Sequence, residues 1–147
     1  WKPEKIERVL ETFAEKGCDL VVHDAVVCGE DAKTVIRDSF YSLKDSGNGA
    51  LKNIWRNTYM GCCMAFRREL LEKVLPIPEN IEMHDQWIGV IADMAGAKVC
   101  FIPDKLIYYR RHGKNESSLN HYGIGRMISN RMRFLRALRE RRRKLRR

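Results

Sequence analysis

No apolar run in this chain of 147 residues approaches the roughly 18–20 residues that a membrane-spanning helix requires. No tract is compositionally degenerate and no internal repeat is visible. With 44% hydrophobic residues, collagen-like, mucin-like and wholly disordered chains are excluded. The start, Trp1-Lys2-Pro3-Glu4-Lys5, is polar and lacks the apolar core of a secretory leader. A chain that opens on Trp1 rather than methionine predicts a segment excised from a longer protein. The cysteines Cys18, Cys28, Cys62, Cys63 and Cys100 are odd in number and lack Cys-x-x-Cys spacing. That pattern suits reduced, buried thiols in a cytosolic protein better than a disulfide framework, and offers no cysteine zinc spacing. The first 125 residues also lack net charge: they hold 17 basic and 18 acidic side chains. The net +9 of the chain comes from Arg126–Arg147, where 11 basic residues meet one acid, Glu140.

What is present reads as alternating helices and strands. Pro3, early acids and the spacing of Ile6, Val9, Leu10 and Phe13 predict an amphipathic helix over 3–16, stopped by Gly17. Leu20–Val27 is β-branched and short, and predicts a buried strand interrupted by the polar pair His23-Asp24. The polar stretch 29–50 is read as loop, with Asp45–Gly49 as a flexible segment that serves as a lid or as plain surface. A helical turn is expected over Leu51–Arg56, a strand over Tyr59–Phe66, and a helix over Arg67–Val74 ended by Pro76 and Pro78. His84 opens a further helix with Ile88, Ile91, Ala92 and Ala95 inward and Gly96 as its stop. Two strands, Val99–Ile102 and Leu106–Arg110, are separated by Pro103. A Gly113-Lys114-Asn115 loop then leads to a long C-terminal helix. The order is that of an α/β fold with sheet partners missing on the N-terminal side.

Two clusters carry chemistry. In Met83-His84-Asp85-Gln86-Trp87, Asp85 is either a helix cap or a general base for a hydroxyl nucleophile, and Trp87 offers a flat apolar surface to a sugar or base. In Tyr108-Tyr109-Arg110-Arg111-His112-Gly113-Lys114-Asn115, the cations with His112 either hold a diphosphate, complete a metal site, or are ordinary surface charges. His23-Asp24 faces a cleft or makes an ordinary strand-end hydrogen bond. The adjacent Cys62-Cys63 has no recognisable base or oxyanion hole beside it.

The ordered set Trp1-Lys2-Pro3, His23-Asp24, Gly61–Arg68, Pro76-Ile77-Pro78, His84–Trp87 and Tyr109–Asn115 resembles the second half of family 2 glycosyltransferases of the GT-A fold. The likeness is closest to bacterial rhamnosyltransferase-like enzymes of surface-polysaccharide synthesis, and covers residues 1 to about 118. It implies a partial GT-A domain over 1–118, followed by a basic amphipathic helix over 119–147. Asp85 matches the base that deprotonates the acceptor hydroxyl for inverting displacement. His84, Trp87 and Gly61 fall at acceptor-binding positions, with Gly61 letting the acceptor approach the backbone. Arg110 and Arg111 fall near the diphosphate, and His112 at a metal-binding position. The resemblance further implies a nucleotide-sugar donor, a glycan or lipid-linked acceptor, and a divalent Mn or Mg ion. That ion is expected only with the N-terminal half, whose nucleotide-binding strands and Asp-rich motif are absent here. This segment is therefore expected to be inactive alone, and its open sheet edge to favour homo-oligomers.

Ile124, Met127, Ile128, Phe134, Leu135, Leu138 and Leu145 recur at helical spacing among the tail arginines. The pattern fits an interfacial helix on an anionic membrane surface through residues 126–147, placing the protein at the cytoplasmic face of a membrane. It also fits a helix packed on the domain, or a non-catalytic nucleic-acid module that tracks phosphates. The nucleic-acid reading ranks lower, because it leaves His84–Trp87 without a role.

Overall fold

The computed structural model describes residues 1–112 and 123–145. The Gly113–Asn115 loop and the expected 118/119 boundary lie outside the described residues. Helix α1 (Lys5–Lys16) leads into β1 (Leu20–Cys28), β2 (Val35–Arg37), α2 (Phe40–Lys44) and α3 (Ala50–Trp55). A 3₁₀ turn (Gly61–Cys63), β3 (Met64–Phe66), α4 (Leu70–Val74), α5 (His84–Met94), β4 (Val99–Arg110) and α6 (Ile124–Leu145) complete the order. The architecture is mixed α/β, with an open sheet of four strands.

β1 is the centre of that sheet. β4 runs parallel to it over its full length, from Leu20↔Val99 to Cys28↔Arg110. Its other edge is shared by two short antiparallel strands, β3 opposite Leu20–Val22 and β2 opposite Val27 and Cys28. All nine residues of β1 are buried, as its β-branched run demands, because helices cover both faces. Leu20, Val22 and Ala25 face the larger core with Tyr59, Trp87, Val90, Ile91 and Phe134. Val21 faces a smaller one with Val9, Cys18, Ile102 and Leu106.

The helices follow local signals. Gly17 closes α1 in the left-handed region at φ 57°, its N–H donating to Phe13 O at 3.1 Å, a conformation that a Cβ would strain. The apolar stripe of α1 is only half used. Val9 is buried, whereas Ile6 and Leu10 are exposed and Lys5 and Thr12 take the inner positions. α6 packs into the main core through Phe134, Ala137 and Leu138. Burying the first and last of these is worth about 1.5–3 kcal/mol each. The tail is thus part of the packed domain along one face.

Several expectations are corrected. The strands expected on either side of Pro103 are one continuous strand, β4. Its register slips between His23 and Ala25 of β1, so that Pro103 sits in a bulge where no ladder hydrogen bond is asked of it. The strand expected over Tyr59–Phe66 shrinks to Met64–Phe66, because Gly61–Cys63 coil into the 3₁₀ turn. The stretch read as loop over 29–50 contains β2 and α2. Its Asp45–Gly49 segment is pinned: Asn53 Nδ2 donates to the carbonyls of Gly47 (2.9 Å) and Gly49 (3.1 Å). No described helix is long and apolar enough to cross a membrane.

Candidate functional site

Asp85 lies in the first turn of α5, two residues beyond the cap position, which Met83 occupies. Its carboxylate is held from three directions. Oδ1 accepts from Gln86 N at 2.7 Å and from Asn57 Nδ2 at 3.2 Å, and Oδ2 accepts from Gly61 N at 3.3 Å. These bonds tie the start of α5 to the loop after α3 and to the 3₁₀ turn. The result is a half-buried, oriented carboxylate at the meeting point of three chain segments that are remote in sequence.

His84 and Gly61 join it. A side chain at Gly61 would begin 3.2 Å from His84 Nε2 and 3.7 Å from Asp85 Cβ. The Gly61 backbone therefore lies against the exposed His84 side chain. The glycine serves the close packing of His84 and Asp85 against the turn.

Trp87 is elsewhere. It is fully buried, its indole N–H donates to Val74 O at 2.9 Å, and Phe134 meets its ring edge-on at 6.1 Å. An indole sealed between α4, α5 and α6 has no face for a sugar, so the acceptor-stacking role expected of Trp87 is withdrawn. The physical reason is its position two residues after Asp85, which turns it to the opposite side of the helix.

The chain entrance reaches the same place. Lys5 is buried, donates through Nζ to Cys62 O at 2.9 Å, and sits 3.8 Å from the centre of the Trp1 ring. Trp1 is thereby placed one side chain away from the turn that holds Asp85. Lys2 N also donates to Leu106 O of β4 at 3.0 Å. Burial lowers the Lys5 pKa from its ordinary value. Cys62, expected to be buried, is exposed. The neighbouring Cys63 thiol, aided by the Lys5 charge, lowers its pKa to about 7. All five cysteines are free thiols.

Arg110 ends β4 and His112 follows at the carboxyl end of the parallel β1/β4 pair, where ligands of open α/β sheets commonly bind. Arg111 N donates to Cys28 O at 2.8 Å, which fixes this segment to the end of β1. Among the described residues no group of three or more His, Cys, Asp or Glu is arranged to hold a metal ion. His112 and its described neighbours do not compose a metal site by themselves. Lys114 lies outside the described residues.

No protein-family model matches the chain, and no solved structure matches it. One similarity among curated proteins stands out. The chain is 30% identical over 122 residues to a protein of Nostoc sp. (strain PCC 7120) named an uncharacterized glycosyltransferase. The match covers 78% of this chain and 37% of that protein. The chain thus spans little more than a third of its relative's length.

The residues around Asp85 were unequally visible beforehand. His84, Asp85 and Gly61 stood out by type and position. Asn57 did not, because a lone asparagine in a polar linker carries no signal until the fold turns it toward Asp85. Lys5 looked like one more charged residue of an amphipathic helix. In the polar pair inside β1, Asp24 is structural. Asp24 is buried and accepts from Ala25 N (2.7 Å), Ser39 Oγ (2.6 Å) and Tyr41 N (3.0 Å), which anchors α2. His23 Nδ1 lies 2.8 Å from Asp24 O, and burial lowers its pKa.

Proposed function

We propose that the chain is the acceptor-side segment of an inverting glycosyltransferase, with Asp85 as its general base. The observation that carries this reading is the oriented Asp85 carboxylate. It is gripped by Asn57, Gly61 and Gln86, with His84 beside it. Similarity to a protein named as a glycosyltransferase supports the reaction class.

In this reading Asp85 takes the proton of an acceptor hydroxyl as its oxygen attacks the anomeric carbon of a nucleotide-sugar. The carbon–oxygen bond to the nucleoside diphosphate breaks, the configuration inverts, and the diphosphate leaves. His84 orients the acceptor. Arg110 and Arg111 attract the diphosphate from the carboxyl end of β4. His112 is assigned to metal binding only as part of a set completed by the rest of a longer protein, and no step here depends on that ion. The segment by itself is then inactive, since the donor pocket belongs to that remaining part. The polysaccharide role, the bacterial setting and a location at the inner face of the membrane belong to the same proposal.

The test is Asp85→Asn in the full-length protein, with sugar transfer followed by product mass. Asparagine keeps the shape and most of the hydrogen bonds but cannot accept the proton. Transfer is expected to fall by about 10²–10⁴-fold with the thermal midpoint little changed. Transfer at the parent rate refutes the base assignment.

A further inference from the structure

The apolar residues of α6 exceed what the core can use. Phe134, Ala137 and Leu138 are buried, and four-residue steps place Ile124, Ile128 and Met132 on a second stripe that Leu135 continues. Ile124, Ile128 and Met132 are exposed, Ile124 by 77%. This stripe turns toward α3, which packs beside α6 and presents Leu51 and Trp55 at 85% and 71% exposure.

Cations are interleaved along the same seam. Arg131 lies 4.3 Å above the Trp55 ring. Between α3, α5 and α6 runs a groove of about 730 Å³ with Ile54, Met94, Leu135 and Leu138 as its apolar lining. Lys73, Arg139 and Arg142 stand at its rim, and no carboxylate lines it. Among the described residues none of these three cations is paired with an acid.

We propose that the α3–α6 seam docks on the surface of an anionic lipid leaflet. Trp55, Leu51, Ile124 and Ile128 enter the headgroup–acyl boundary, and Lys73, Arg131, Arg139 and Arg142 meet lipid phosphates. The charge complementarity selects this occupant: an apolar stripe flanked by Lys73, Arg139 and Arg142, none of them ion-paired among the described residues, matches a negatively charged interface. The seam from Ile124 to Arg142 is roughly 27 Å long at 1.5 Å per residue, enough to lie along a leaflet. The sequence placed membrane contact in residues 126–147 alone. The fold adds α3 and the groove, and removes the core-facing side of α6 from contact.

Flotation of the full-length protein with vesicles tests this, using phosphatidylcholine alone or with roughly 30% phosphatidylglycerol. Binding is expected only to the anionic vesicles and is weakened by salt. The pair Ile128→Asp and Met132→Asp should reduce partitioning about tenfold or more. Reversal of Lys73, Arg139 and Arg142 to Glu should reduce it about a hundredfold, at about fivefold per cation. Brominated acyl chains should quench a Trp fluorescence component that Trp55→Phe removes. Failure to float with anionic vesicles overturns the proposal. So does binding that ignores the two apolar substitutions and is matched by duplex DNA, which would mark a phosphate-tracking polycation. Sugar transfer enters none of these readouts.

Discussion

Replacing Trp87 separates a core role from a ligand role. The side chain is fully buried, and α4, α5 and α6 meet on it. Trp87→Ala removes the whole indole, for which large aromatic-to-alanine changes in cores cost about 3–5 kcal/mol. Part of that is the bond to Val74 O, worth about 1 kcal/mol net. Trp87→Phe deletes that bond but keeps most of the ring. Val74 O retains Arg141 Nη2 at 3.4 Å, so the carbonyl is not orphaned. The phenylalanine variant should therefore lose only about 2 kcal/mol, the sum of one hydrogen bond and about one methylene's worth of burial. For a chain of this size the alanine variant should melt roughly 10–15 °C lower, at about 3 °C per kcal/mol. The assay is urea and thermal unfolding of the chain followed by circular dichroism, with sugar transfer measured on the phenylalanine variant of the full-length protein. Unchanged transfer with reduced stability is the expected outcome. An alanine variant within about 1 kcal/mol of the parent that had lost acceptor affinity would refute the burial argument. It would return Trp87 to the site.

Two further perturbations test the packing and the electrostatics. At Gly89, a methyl group would overlap the Tyr59 ring inside the core, so Gly89→Ala should destabilise by about 1–3 kcal/mol even though alanine favours helix. An unchanged denaturation midpoint would show that α5 and Tyr59 are not in contact. Asp93 accepts from Tyr59 OH (3.0 Å) and Gly49 N (3.1 Å), yet burial outweighs these bonds and raises its pKa. The folded state therefore holds the Asp93 proton more tightly than the unfolded state. Its contribution to stability is greatest below the ordinary carboxylate value of about 4 and declines as pH rises through the folded value. Asp93→Asn can accept both bonds without the charge. It should flatten that decline and match or exceed the parent's midpoint at pH 7, and an unaltered pH profile would count against the assignment.

Local chemistry explains most of what could be read without the fold. Gly17 ends α1 because only glycine enters the left-handed region without strain, and the β-branched run of β1 could be satisfied only by burial. The end of α5 was equally legible, since Gly96 follows it at φ 69°. The misreadings share one cause. Pro103 argues locally for a strand break, but the bulge opposite His23–Ala25 lets β4 continue past it. Trp87 beside Asp85 looked like one cluster, but helical geometry sends the two to different sides.

The sequence by itself therefore determined the alternating α/β order, the near-neutral body with its basic helix, and the residue types able to handle a hydroxyl and a phosphate. Each follows from composition, period and turn chemistry, which act over a few residues. Only the tertiary structure decided which of those residues meet. It brought Asn57, Gly61 and His84 to Asp85, took Trp87 into the core, and set α3 beside α6 so that the excess charge of the tail lines an apolar seam. Such meetings depend on contacts between segments far apart in the chain, which leave no local periodicity to read.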